Sequence, residues 1–385
     1  MSGKICVLLL CPVLFLFAAC TPRMAQEEAR QIAVLTDTAA AIPVAPPRSI
    51  ADILDILDQP GISDPEVIEW LRIEAEAPQP SIPNDTYLAE FHHRRAGASE
   101  SLGHGRKALE DARTAFLHMQ KAGEERLDIM RNLAHLEKNF GSRRRALELL
   151  QRCRDLDAAS PLPQYAVSYD QLLLDLHLSA GDIEAAEKAY EKAAEFCRNK
   201  MGNASGRYLD VRLTPGEVRQ RERRCESMEA KFAESRNRHR EAESSWRRHL
   251  AVCLKSTRNP GWIVSARLSL AANLRHQGRL LEAEMESRKA LSEALGYGGK
   301  ESTQLGQALR NLGKTLQDQG RLAEAEKLAR TGIRIYEKSG LSEDSSQMLE
   351  ERMFYGDVLV RKEKYPEARE QYDLVREAGK RNPEN

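Results

Sequence analysis

A helix-breaking position followed five residues later by an alanine recurs seven times along the chain, at intervals of roughly 40 residues. The pairs are Gly103/Ala108, Gly141/Ala146, Gly181/Ala186, Asn237/Ala242, Gly278/Ala283, Gly320/Ala325 and Glu363/Ala368. A fixed period of this length is typical of solenoids, in which each unit buries its apolar face only against its neighbours. The period therefore predicts stacked helical hairpins and argues against most enzyme folds.

Apolar residues on both sides of each break follow helical spacing. Before the break at Gly320 they include Leu309, Leu312 and Leu316, with Leu305 one turn earlier, and after it Leu322, Ala325 and Leu328. Charged residues make up 30% of the chain and aromatic residues only 5%, a composition typical of many stacked amphipathic helices. A small residue stands seven positions before six of the breaks, and Leu174 takes that place in the third unit. We therefore predict an all-α array of about seven hairpins over residues 84–379, followed by a tail at 380–385.

Two neighbouring units carry the clearest family resemblance. The residues are Leu270, Ala271, Leu274, Gly278, Ala283 and Ala290, then Leu312, Gly313, Leu316, Gly320, Ala325 and Gly332. They stand where the tetratricopeptide repeat places its packing residues, although these units are longer than the simple 34-residue form and resemble those of kinesin light chains and bacterial sensor arrays. The resemblance implies a right-handed α-solenoid that binds protein or peptide partners and has no catalysis of its own.

The first nineteen residues have the pattern of a signal peptide, with Lys4 before the apolar stretch from Ile5 to Ala19. That stretch ends at Cys20 with small residues before it, which resembles a bacterial lipobox. The resemblance implies lipidation of Cys20 and attachment to the cell envelope, facing the periplasm, with Thr21 favouring the outer membrane. An uncleaved anchor or an ordinary secretion signal is the alternative.

Residues 20–48 read as a lipidated cysteine and an extended tether, because Pro43, Pro46 and Pro47 keep the backbone extended. Residues 49–83 predict two N-terminal cap helices. Ser49 is the predicted N-cap of the first, and Asp64 and Pro65 begin the second.

The interval from Gly181 to Asn237 spans 56 residues and is longer than the others. Its surplus predicts an inserted loop at about 199–214. Insertions in solenoids often emerge on the binding face, although a tolerated surface loop with no role explains the pattern equally well.

Four cysteines follow the lipobox: Cys153, Cys197, Cys225 and Cys253. Cys197 and Cys225 end one unit and begin the next, so a disulfide between them is one interpretation in an oxidising periplasm. The other interpretation is that all four are small buried apolar residues.

No motif predicts catalysis, a metal site or a cofactor. The sequence at His239 lacks the second histidine of a zinc-binding HExxH motif, and no phosphate-binding loop of the GxxxxGK[ST] type occurs. Lysine plus arginine equals aspartate plus glutamate at 58 each, so net charge does not favour nucleic acid. The arginine-rich stretch 219–249 has glutamates at i,i+4 spacing, which favours a plain helix surface over a site for lipid headgroups, polysaccharide or an acidic partner.

In tetratricopeptide arrays the first helix of each hairpin lines a concave groove. By position, the resemblance places six polar residues there: Lys231, Arg275, Arg310, Lys314, Gln317 and Asp357. The family's two-carboxylate clamp is missing, so a peptide C-terminus is not the expected ligand. The sequence leaves the oligomeric state open.

The predicted function is thus a lipid-anchored envelope scaffold that binds protein or peptide partners. The alternative is a sensor module of a CHAT-type peptidase system whose catalytic part lies elsewhere. It rests on a weak resemblance, from Ser49 onward and including Tyr87 to Phe91, to the helical region that precedes such peptidases.

Overall fold

The computed structural model describes residues 49–53, 65–81, 84–101, 104–159, 166–200, 207–208, 211–212, 215–255, 260–298, 300, 302–339, 341 and 343–381. These residues all belong to the second of two compact units, which spans residues 46–385. The predicted signal peptide, Cys20, the tether to residue 48, Asp64 and most of the predicted loop 199–214 lie outside the described residues.

Helix α1 (Pro65–Glu76) precedes seven helical hairpins in the described part of the chain. The hairpins are α2 (Asp85–Ser101) with α3 (Gly105–Lys121), α4 (Leu127–Phe140) with α5 (Arg143–Ala159), α6 (Ala166–Ser179) with α7 (Ile183–Lys200), α8 (Pro215–Ser235) with α9 (His239–Leu254), α10 (Pro260–His276) with α11 (Leu280–Gly298), α12 (Thr303–Asp318) with α13 (Leu322–Lys338), and α14 (Ser346–Arg361) with α15 (Tyr365–Arg381). The all-α prediction is confirmed. Each of these helices is too short or too polar to cross a lipid bilayer.

One local feature differs from the prediction. The inserted segment contains two short antiparallel strands, β1 (Arg207–Tyr208) and β2 (Val211–Arg212), where we expected loop alone. Arg207 pairs with Arg212 and Tyr208 with Val211.

Most of the predicted breaks adopt a left-handed backbone conformation. Gly320 has a φ of 80°, its N–H donates to the carbonyl of Gln317 at 3.0 Å, and the next N–H, of Arg321, donates to Leu316 at 2.9 Å. This pattern ends a helix by satisfying its last free carbonyls. Glu363 adopts a φ of 60° in the same arrangement, which shows that the hairpin turn overrides the usual preference for glycine.

The alanine that follows each break is buried wherever it occurs, with an exposed fraction of 2% or less in all seven hairpins. The small residue before the break has a similar role. A Cβ on Gly313 would lie 2.6 Å from the ring of Phe354, so only glycine leaves room for that ring. Leu174, the exception in the sequence pattern, is also fully buried.

A glutamate directly after the buried alanine joins one hairpin to the next. Glu284 accepts hydrogen bonds from Gln319 Nε2 at 2.9 Å and from Arg321 Nη1 at 3.1 Å, and it is almost fully buried. Glu243 and Glu326 make the corresponding contacts with Gln277 and Arg279, and with Lys362 and Lys364. Because each carboxylate neutralises cations of the following turn, these contacts set the register between neighbouring hairpins.

Candidate binding surface on the first helices

The six predicted groove residues lie on the first helices of their hairpins: Lys231 on α8, Arg275 on α10, Arg310, Lys314 and Gln317 on α12, and Asp357 on α14. Helices α6 and α8 pack against each other, as do α10 with α12 and α12 with α14. We call the surface formed by α6, α8, α10, α12 and α14 the first-helix surface.

Two of its cations bind an acid on the neighbouring hairpin. Lys231 Nζ lies 2.7 Å from Asp175 Oδ1, and Arg275 Nη1 lies 2.9 Å from Asp318 Oδ2. These pairs link α8 to α6 and α10 to α12. Both cations therefore already have a structural partner across the surface.

Arg310 is buried and lies between α12 and α14. Its Nη2 donates to Glu350 Oε2 at 2.6 Å, and its Nη1 donates to the carbonyl of Gln347 at 3.2 Å and lies 3.5 Å from Glu351 Oε2. A guanidinium engaged on three sides holds two hairpins together, and it has little capacity left for a ligand.

Glu351 completes this cluster from α14. It is fully buried, and neither of its oxygens accepts a hydrogen bond within the described residues. Burial raises the pKa of Glu351 to about 8, although the nearby Arg310 acts in the opposite direction. Burial likewise raises the pKa of Tyr336, whose hydroxyl interacts with the charges of Arg310, Glu351 and Glu350.

Lys314 differs from the other cations of the surface. It is half-buried on α12, and its ammonium group makes no hydrogen bond or ion pair with any described residue. Burial is the main cause that lowers the pKa of Lys314, followed by the charge of Arg310. A half-buried ammonium without a partner gains most from an acceptor supplied by a ligand.

Gln317 follows Lys314 by three residues, so both side chains lie on one face of α12. The backbone carbonyl of Gln317 accepts a hydrogen bond from Arg361 Nη1 at 2.6 Å. The side-chain amide of Gln317 makes no hydrogen bond with any described residue. Asp357 is exposed and accepts a hydrogen bond from Tyr372 on α15 at 2.6 Å. Lys314 and Gln317 are therefore the candidates whose side chains remain available.

The acidic residues of this surface were not among the predicted groove residues. Asp318 lies 43 residues after Arg275, and Glu350 lies 40 residues after Arg310, so each acid stands about one repeat beyond its cation. This spacing is visible in the sequence, but it becomes informative only once neighbouring first helices are known to be in contact.

The arginine-rich stretch consists largely of paired side chains. Arg248 binds Glu226 at 2.8 Å, Arg247 binds Glu243 at 2.9 Å, and the guanidinium of Arg223 lies 4.4 Å from the ring centroid of Trp262. An open cavity of about 880 Å³ lies where the turn within the fourth hairpin, at Asn237 to His239, meets the turn within the fifth, at Gln277 and Arg279. Arg240 on its wall has no ion-pair partner among the described residues.

Cys197 on α7 and Cys225 on α8 form a disulfide, with their Cα atoms 6.0 Å apart. The bond closes the loop that contains β1 and β2. Cys153 and Cys253 are free and buried, as the apolar interpretation expects of them.

No group of three metal-ligating side chains occurs within the ranges that the structure describes. The buried His92 belongs to a hydrogen-bond network, in which its Nδ1 lies 3.1 Å from Asp111 Oδ1 and its Nε2 lies 3.2 Å from Gln79 Oε1. Burial lowers the pKa of His92, and its contacts are structural.

Comparison with known proteins relates two of the hairpins to a known repeat family. The tetratricopeptide repeat family model matches residues 262–338, which correspond to hairpins α10/α11 and α12/α13. The chain is similar in structure to the apo form of the quorum sensor NprR from B. thuringiensis, with a TM-score of 0.52, 10% identity, and coverage of 92% of this chain and 86% of NprR. It is also similar to a Rap protein in complex with Competence and Sporulation Factor, with a TM-score of 0.51, 16% identity, and coverage of 73% and 76%.

No curated protein sequence matches the chain. At identities this low the structural likeness shows the fold alone, and it confirms the helical solenoid that the period predicts. The matched family confirms tetratricopeptide repeats in the fifth and sixth hairpins.

Proposed function

We propose that this protein is an exported, lipid-anchored scaffold that binds a protein or peptide partner on its first-helix surface and has no catalysis of its own. The observation that carries the binding proposal is Lys314, a half-buried cation that makes no hydrogen bond or ion pair in the described structure, beside the side-chain amide of Gln317. Such a pair suits an acidic side chain or the backbone carbonyls of an extended segment.

Two further observations support the proposal. The Rap protein to which the chain is similar was solved in complex with Competence and Sporulation Factor, so an array of this fold presents a surface for a partner. The disulfide between Cys197 and Cys225 is of the kind that persists in oxidising compartments, which supports export.

The binding proposal is tested by crosslinking capture from intact envelopes. Lys314→Glu reverses the charge at the candidate contact, and Lys327→Glu reverses an exposed lysine on the second helix of the same hairpin. We expect a discrete partner to be captured by the wild type and the Lys327→Glu variant and lost from Lys314→Glu. Unchanged capture by Lys314→Glu would place the binding site elsewhere.

The anchoring proposal has its own test. Metabolic labelling with palmitate is expected to label the wild type and to leave Cys20→Ala unlabelled. Equal labelling of both proteins would contradict lipid anchoring through Cys20. For the CHAT-type sensor alternative, the discriminating observation is a peptidase reading frame directly downstream.

A further inference from the structure

The short segment 49–53 packs against a distant part of the array. Ile50 and Ile53 are 2% and 3% exposed, and they belong to the hydrophobic cluster that includes Val264 on α10, Leu291 on α11 and Leu305 on α12. More than 200 residues separate the segment from these partners. Burial of two isoleucines at this position requires an apolar acceptor surface on the fifth and sixth hairpins.

One arginine of that surface binds the segment directly. Arg288 on α11 donates from Nη1 to Asp52 Oδ2 at 3.0 Å and from Nη2 to the carbonyl of Ser49 at 2.9 Å. Its Nε donates to Glu284 Oε1 at 3.0 Å, which fixes the guanidinium in place. Because the planar guanidinium carries its donors in a rigid fork, it recognises both the acid and the backbone of the segment.

The segment has the features of a helical ligand. Residues 51–53 are helical, Ile53 N donates to the carbonyl of Ile50 at 3.0 Å, and Ser49 Oγ accepts from the N–H of Ala51 at 3.0 Å. Ile50 and Ile53 are three positions apart, so they lie on one face of such a turn. Asp52, between them in sequence, accepts the hydrogen bond from Arg288. This is the geometry by which amphipathic helices bind grooves in other proteins.

We propose that the surface formed by α10, α11 and α12 around Arg288 is a helix-binding site that the chain's own segment 49–53 occupies in competition with a partner. The partner is a helix of another protein that presents two branched aliphatic residues three positions apart, with an acidic residue between them. Arg288 and Leu291 lie on a second helix, and the contacts of this site involve none of the six predicted groove residues, so the proposal does not depend on the function proposed above.

When the segment occupies the site, the apparent affinity for a competitor is the intrinsic affinity multiplied by the fraction of time that the site is empty. A segment bound nine-tenths of the time therefore weakens partner binding about tenfold. Release of the segment would expose the site. Partner binding is therefore coupled to the release of residues 49–53, which directly follow the predicted tether.

The test uses the full-length protein and a fluorescent peptide with the sequence of residues 48–60. Asp52→Lys places a lysine against Arg288 and should release the segment, and Asp52 is an exposed side chain, so the fold should be retained. We expect the peptide to bind the Asp52→Lys variant at least tenfold more tightly than it binds the wild type.

Arg288→Ala, introduced into the Asp52→Lys variant, should weaken binding of this peptide at least tenfold, whereas Arg334→Ala, at an exposed arginine on α13, should not. Circular dichroism melting verifies that each variant is folded. Equal binding by the wild type and Asp52→Lys, no binding by either, or binding that is independent of residue 288 would overturn the proposal.

Discussion

Glu351 of α14 lies over the backbone of Gly332 on α13, so close that a Cβ on this glycine would lie 2.6 Å from the carboxylate Oε1. The same carboxylate faces Arg310 of α12. Three consecutive helices therefore meet at one buried carboxyl group, and the packing there depends on a glycine that carries no side chain.

Gly332→Ala should lower the free energy of unfolding by about 1–3 kcal/mol, because the added methyl group would displace the fully buried carboxyl group of Glu351. Gly97→Ala is the matched control, since a Cβ at that helical glycine meets no atom within 4 Å. The control should be neutral or stabilised by about 0.5–1 kcal/mol. Urea denaturation followed by circular dichroism measures both, and equal stability of the two variants would refute the close packing at Gly332.

The stability of the protein should depend on the ionisation of Glu351. Its pKa is raised from 4.5 to about 8 in the folded state, so the folded state holds a proton that the unfolded state releases between these two pH values. Stability should therefore fall as pH rises from about 4.5 through 8. Glu351→Gln cannot ionise, and the difference in urea midpoint between wild type and variant across this range isolates the contribution of Glu351. A difference that is flat, or that favours the wild type as pH rises, would contradict the prediction.

Glu284 should contribute strongly to cohesion between the fifth and sixth hairpins. Glu284→Ala leaves Gln319 and Arg321 without their buried acceptor, so we expect a loss of about 1–3 kcal/mol. Glu241→Ala removes an exposed ion pair with Arg238 from the start of α9, and it should change stability by about 0–1 kcal/mol. Thermal melting of the two variants gives the comparison, and a Glu284→Ala protein as stable as the control would mean that this carboxylate does not couple the hairpins.

The disulfide should stabilise the junction between the third and fourth hairpins. Cys197 and Cys225 are 28 residues apart, a loop for which chain entropy gives about 3–4 kcal/mol. Reduction should lower the melting temperature of the wild type and leave that of a Cys197→Ser/Cys225→Ser variant unchanged. If the reductant affects both proteins equally, the bond has no part in stability.

The helical period of the sequence predicts most of the fold, because equivalent positions of successive hairpins are buried in a solenoid. It locates the buried alanines, such as Ala283 and Ala325, and the turns between helices. It does not reveal which polar side chains face each other across hairpins. Arg310 is an example. Its position on a first helix predicts a side chain that faces the groove, but in the structure its guanidinium contacts Glu350 and Glu351 of the next hairpin.

Other features depend on contacts that no local pattern records. The packing of Ile50 and Ile53 on the fifth and sixth hairpins joins residues far apart in sequence, and the strands within the insertion form in a stretch that reads as loop. Asn237 and Glu363 adopt left-handed conformations because the hairpin turn requires them, and the sequence marks them only through the alanine five residues later.

The central claim is that the first-helix surface holds the partner, and site-specific photocrosslinking in living cells tests it most directly. A photoreactive amino acid at Gln317 lies beside Lys314 on α12, and one at Lys327 lies on the second helix of the same hairpin. We predict an adduct of one discrete mass from position 317 and none from position 327. An adduct from position 327 alone, or the same adduct from both positions, would contradict the account.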